Sequence, residues 1–366
     1  MKNIKRIIAC ALIFVMALTF TACHKKDEIA VSVDDIKFTS AYYMCALINA
    51  DSEAKTKVQE ELSEEESSSE EIDYFSKKID GKKYETWVKD QALASLKEIA
   101  AYKLLCKENK VEIDEEMLTN AETYASYYWS SYGYSMYYEP NGVNQNTYTQ
   151  YMKDSYYAEA YFDHLYGKDG EKEIPAEDVK KEIHGSYIIA DLLDATFTSE
   201  MTDAQKTELK TKLDGYVTAI KDGKKTFKEV YNEYNDVKEE EKTTETENET
   251  DSEPAPKDEN AQVLGAKGTA YEYEYYDDVK AMKTGEVKLI TLADNAGYTL
   301  VVKQDITADD YYLDSLDSTA RHTLKDEEFE TAIKDYQKEF ELEVSKYAIN
   351  QFKVKNIVEP DYSNYQ

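Results

Sequence analysis

Two acidic, low-complexity tracts divide this chain into the stretches that are able to fold. Glu60–Asp73 reads EELSEEESSSEEID, and Val237–Gln262 reads VKEEEKTTETENETDSEPAPKDENAQ. Segments so poor in apolar side chains cannot bury enough surface to offset the ~1–2 kcal/mol per residue that backbone ordering costs. Both are therefore expected to be solvated loops, and any core must come from the sequence around them.

The first 22 residues stand apart. Lys2, Lys5 and Arg6 precede an uncharged apolar run from Ile7 to Ala22, the pattern of a secretory leader rather than of a folded helix. The run is short for a bilayer span, which needs about 20 apolar residues. It ends in LTFTAC, Leu18–Cys23, just before the polar HKKDE. That ending resembles the lipobox of bacterial lipoproteins. The resemblance implies cleavage before Cys23 and a diacylglycerol on this new N-terminal residue. Two acyl chains hold a protein stably at a membrane surface, at about 0.8 kcal/mol per buried methylene. No later segment is apolar enough to span, so the expected product is a soluble, extracytoplasmic body anchored to the cell membrane by lipid.

With 75 acidic against 44 basic residues the formal net charge is −31, and loss of the leader makes it more negative still. Such a field repels phosphate backbones, which excludes nucleic acid as a partner and leaves basic or unfolded polypeptide compatible. Cys45 and Cys106 could form one disulfide in an oxidising exterior, but both sit in helical apolar patterns that suit buried thiols equally well. Neither has a CxxC partner. His24, His164, His184 and His322 form no metal-spaced pair, and GxxxxGK[ST], GxSxG and HExxH are absent, so no metal or cofactor is expected.

Glu28–Ala50 reads as a short alternating strand followed by a helix capped by Thr39. From Lys83 to Asn109 the spacing of Trp87, Leu93, Leu96, Ile99 and Leu104 predicts a long amphipathic helix. Two further helical stretches follow, broken by Glu139–Gly142 (EPNG). They are dense in tyrosine, which can either replace phenylalanine in a core or line a groove for unfolded peptide. After Pro175–Ile183 (PAEDVKKEI) the pattern changes to strand, helix, a break at Gly223, helix, the acidic tract, short helix, strand and strand.

That order, with its words, resembles a parvulin-type peptidyl-prolyl isomerase domain. The words are YII at Tyr187–Ile189, GKKTFKEVYNEYND at Gly223–Asp236, LG at Leu264–Gly265, MKTGEV at Met282–Val287 and GYTLVV at Gly297–Val302. Together with the flanking helices and lipobox, the chain resembles the PrsA foldases and SurA-like chaperones. The resemblance implies an α+β fold in which 23–174 and 308–366 build a helical chaperone domain, with a parvulin-like domain inserted at 175–307 that carries the acidic insertion 237–262. Asp326–Phe352 would be one returning helix.

The resemblance also implies a site. Tyr187 and Thr299 stand where the family has two histidines, Asp236 falls at its acidic position, and Tyr275 falls at the aromatic wall around proline. Tyr187 and Thr299 are expected on neighbouring strands with their hydroxyls bonded to each other. His184 is read as lying on the same strand, facing away. The expected function is a membrane-anchored foldase that binds unfolded, newly secreted polypeptides, its isomerase domain weak or inactive because both histidines are replaced. Two alternatives stand beside it: an active prolyl isomerase, or a solute-binding or scaffold lipoprotein. Pairing with a second copy is left open.

Overall fold

The structure, a computed structural model, describes residues 28–62, 72–236, 260–308 and 310–360. The leader, Cys23, His24 and most of both acidic tracts lie outside the described residues. The chain divides into two compact units, Met1–Lys172 with Glu327–Gln366, and Glu173–Asp326. Among the described residues no helix is long and apolar enough to cross a membrane.

The first unit opens with a hairpin, β1 (Ile29–Val33) and β2 (Ile36–Thr39), where a single strand was expected. Asp34, at φ 50°, makes the left-handed turn that short acidic side chains tolerate. Thr39 then caps α1 (Ser40–Glu60) by accepting from the Tyr42 amide at 3.2 Å. A small hairpin, β3 (Lys78–Ile79) and β4 (Lys82–Lys83), leads into α2 (Tyr84–Asn109). Trp87, Leu96 and Leu104 are buried on this helix, while Leu93 and Ile99 are partly buried against the same core. Next come α3 (Glu115–Ser131), α4 (Tyr134–Tyr138) and α5 (Gln145–Tyr166). α1 packs on α2, and α5 packs on both α2 and α3.

Cys45 and Cys106 are free buried thiols. Burial raises both, Cys106 to about 11, so neither carries an appreciable thiolate fraction at neutral pH.

The second unit begins with α6 (Ala176–Ser186). His184 is exposed on this helix and not on a strand, because the helix runs three residues beyond the predicted Ile183. β5 (Tyr187–Thr196), α7 (Asp203–Lys221) and α8 (Phe227–Tyr234) follow. Each helix starts with a capping box, Thr202 with Gln205 and Thr226 with Glu229, and Gly223 at φ 68° makes the turn between them.

β6 (Ala261–Gly265) begins inside the tract read as a loop, since pairing with β5 satisfies its backbone from Asp191 to Tyr187. α9 (Tyr276–Lys280), β7 (Val287–Thr291) and β8 (Gly297–Lys303) complete an antiparallel sheet in the order β6-β5-β8-β7. Alternation along β5 sorts its side chains to two faces. Leu193 and Ala195, with Leu300 and Val302, meet α7 and α8 through Leu213, Tyr216, Phe227 and Val230. Ile188, Ala190 and Leu192, with Ile290 and Val301, meet Tyr275, Tyr276, Val279 and Met282.

Beyond the sheet lie α10 (Asp310–Ser315) and α11 (Asp317–Tyr336). The single returning helix expected over Asp326–Phe352 is broken into parts: α11 ends at Tyr336, β9 (Glu343–Val344) pairs with β1, and α12 (Lys346–Asn350) follows. The open edge of β1 overrides helical propensity here, because Val344 and Glu343 take the backbone positions opposite Val31 and Ser32.

Candidate functional site

The predicted site residues of the second unit fall in two places. Thr299 on β8 lies opposite Asp194 on β5 and Ile290 on β7. It is fully buried. Tyr275, just ahead of α9, is buried against the same sheet face. Burial first, and the Asp194 charge second, raise the Tyr275 pKa well above the ordinary tyrosine value, and the Thr299 hydroxyl partly offsets the rise. Tyr275, Thr299 and Asp194 thus form one cluster on an apolar face.

Tyr187 lies elsewhere. It opens β5 opposite Gly265 of β6, seven residues from Asp194, which at ~3.4 Å per residue is more than 20 Å along the strand. An odd separation also puts it on the other face. The expected hydroxyl pair between Tyr187 and Thr299 is therefore not formed, although their strands are neighbours. Tyr187 instead packs edge-on to Tyr271 at 6.0 Å. Asp236 is exposed just past α8, a helix that covers the face opposite Thr299.

Asp194 was missed by sequence reasoning. The word YII fixed attention on the start of a strand that proves ten residues long, while the partner of Thr299 lies near its end. The cluster pairs no nucleophile with a base. Its chemistry is limited to two buried hydroxyls and a flanking carboxylate beside apolar walls.

In the first unit the tyrosines divide between a buried aromatic core and an exposed surface. On α3, Ala121, Ala125 and Trp129 recur every four residues and are buried. Trp129 lies 5.7 Å from Tyr148 and 6.3 Å from Tyr138, and those two tyrosines are 4.9 Å apart. From this core the aromatic contacts run outward. Tyr134 meets Tyr148 at 5.8 Å, Tyr128 stacks on Tyr134 at 5.5 Å, and Tyr132 meets Tyr128 at 5.4 Å. Tyr127 lies edge-on to Tyr132 at 5.3 Å, and Tyr124 stacks near Tyr128 at 6.4 Å. Tyr124, Tyr127 and Tyr132 are 50%, 51% and 56% exposed, an outward aromatic surface on a packed base. Pairs of this geometry contribute about 0.5–1.5 kcal/mol each beyond area burial, so the exposed rings are held in place before any ligand arrives.

No protein-family model matches the sequence, and no curated protein does. Among solved structures, the chain is similar to the foldase protein PrsA from Lactococcus lactis, at 14% identity and a TM-score of 0.38 over 88% of this chain and 96% of that one. It is similar to PrsA from Streptococcus pneumoniae at 14% identity and a TM-score of 0.39, over 75% and 91% of the two chains. For PrsA from Bacillus subtilis the figures are 15% and 0.31, over 73% and 91%.

Proposed function

We propose that this chain is an extracytoplasmic foldase of the chaperone kind, tethered to the membrane through an acylated Cys23, which binds unfolded polypeptide on the tyrosine surface of α3 and α4. The observation that carries the reading is the exposure of Tyr124, Tyr127 and Tyr132 on a base of packed aromatic rings. Large apolar side chains left in water mark interaction sites. Tyrosine suits a varied clientele, since it offers a wide amphipathic face with only two torsions to fix. Strong negative charge keeps such a surface soluble.

The test is suppression of aggregation when a chemically unfolded client is diluted into buffer with the purified protein. Wild type suppresses aggregation at stoichiometric ratios, and the triple variant Tyr124→Ser, Tyr127→Ser, Tyr132→Ser loses most of the effect. Equal activity in the two proteins, with several clients, would end the proposal.

A second reading, prolyl isomerisation by a parvulin-like second unit, is favoured by one observation: Tyr275 and Thr299 bring two buried hydroxyls together on one sheet face. Isomerisation needs no nucleophile, only a dry site that disfavours the planar amide. Acceleration of exchange on a short proline peptide, lost in Tyr275→Phe or Thr299→Val, would support it. No acceleration by wild type would remove it.

A further inference from the structure

From Val111 to Met152 the chain contains no lysine, arginine or histidine, yet it holds the whole exposed tyrosine array. Elsewhere in this protein lysines do sit over aromatic rings: Lys57 over Trp87, Lys97 over Phe340, Lys103 over Tyr157 and Lys206 over Phe197, at 4.8–5.9 Å. Among the described residues, no lysine sits over Tyr124, Tyr127, Tyr128, Tyr132 or Tyr134. The charges nearby are acidic. Glu116 shares the helical stripe of Tyr127, eleven residues or three turns away, and Glu115, Glu122 and Glu139 are exposed in the same stretch. Lys153 of α5 is paired with Glu122.

We infer that the tyrosine surface selects extended polypeptide segments rich in lysine and arginine, whose cations take the open ring faces while the flanking carboxylates supply a matching field. This rests on the proposed client-binding role and names its substrate class. The argument is charge complementarity. An aromatic face attracts a cation through its quadrupole, and a ring that no cation among the described residues covers can accept one from a partner. The field of an acidic protein raises the local concentration of such segments, and the rings convert that attraction into short-range discrimination. A purely apolar client would gain the first-unit surface area but neither of these terms.

The experiment uses the purified full-length protein and three fluorescent peptides of equal length and disorder: one rich in arginine and lysine, one neutral with the same apolar content, and one rich in glutamate. Anisotropy titration at physiological salt reads the affinities. The expected result is basic over neutral by about tenfold, the ratio supplied by two or so exposed cation–π contacts, with the acidic peptide weakest.

Two triple variants separate ring electrostatics from net charge, since neither alters the charge of the protein. Replacing Tyr124, Tyr127 and Tyr132 by Phe keeps the tenfold ratio. Replacing them by Leu lowers it several-fold, to the remainder that the unchanged net charge supplies. A Leu variant that keeps the ratio, or loses both peptides equally, overturns the inference, as does equal binding of basic and neutral peptides by wild type. Failure of wild type to bind any peptide would instead defeat the client-binding reading beneath it.

Discussion

Asp154 is the charge on which the helical packing of the first unit is most exposed to test. It sits on α5, 2% exposed, and accepts from the Tyr42 hydroxyl of α1 at 2.9 Å, from Lys103 Nζ of α2 at 2.8 Å and from Gln150 at 2.8 Å. Burial, then the charge of Asp154, holds Tyr42 firmly protonated, so it serves as a donor throughout the physiological range.

Breaking a fully buried ion pair typically costs about 3–5 kcal/mol. The Lys103 side chain is 22% exposed and can recover some hydration, which brings the expected cost of Asp154→Ala to about 2–3 kcal/mol, the stranded Tyr42 hydroxyl included. For a unit of this size that is a fall of about 5–10 °C in Tm. Urea denaturation followed by tyrosine and tryptophan fluorescence reads it. Replacing Asp154, Lys103 and Tyr42 together, with Asp154→Leu, Lys103→Met and Tyr42→Phe, should restore much of the loss, because only the exposed Gln150 amide, which can turn to water, is then left without its partner. A single-site loss below about 1 kcal/mol, or a triple variant worse than the single, would refute this reasoning.

Two further outcomes follow from the second unit. In Gly265→Ala the new Cβ would stand 1.9 Å from the Thr269 hydroxyl and 2.9 Å from the Tyr271 carbonyl, so the loop after β6 must shift. A loss of about 1–3 kcal/mol is expected in denaturant unfolding, and an unchanged midpoint would show that the loop yields freely. The Glu229 carboxylate caps α8, and its bonds to the Thr226 amide and hydroxyl lower its pKa below the ordinary 4.5. Its stabilisation is present above pH 4.5 and is lost as the pH falls through that value toward the folded-state pKa. Glu229→Gln should therefore be less stable than wild type at neutral pH and closer to it near pH 3, and a constant difference across that range would contradict the assignment.

How much of this was legible in the sequence depended on how local each signal is. The Thr39 cap and the long helix of Tyr84–Asn109 rest on neighbours a few residues apart, and both were readable. The strand alternation of Phe340, Leu342 and Val344 was present too. It covers too few residues to compete with the helical pattern around it, and only pairing with β1, some three hundred residues upstream, fixes it as a strand. The same limit hid Asp194. Its place beside Thr299 is a matter of register between β5 and β8, and a short matching word cannot supply register. The division of the tyrosines into core and surface, by contrast, follows the four-residue recurrence of Ala121, Ala125 and Trp129, a local signal that composition alone obscures.

The central claim is that unfolded clients dock on the exposed rings of α3. Site-specific photocrosslinking tests it most directly, with a benzophenone amino acid in place of Tyr127 and, as control, in place of Tyr347, which is 71% exposed on α12 of the same unit. The account predicts strong crosslinks to an unfolded client from position 127, weak ones from 347, and none at either with the folded client. Equal crosslinking from both positions, or crosslinking from 347 alone, would contradict it.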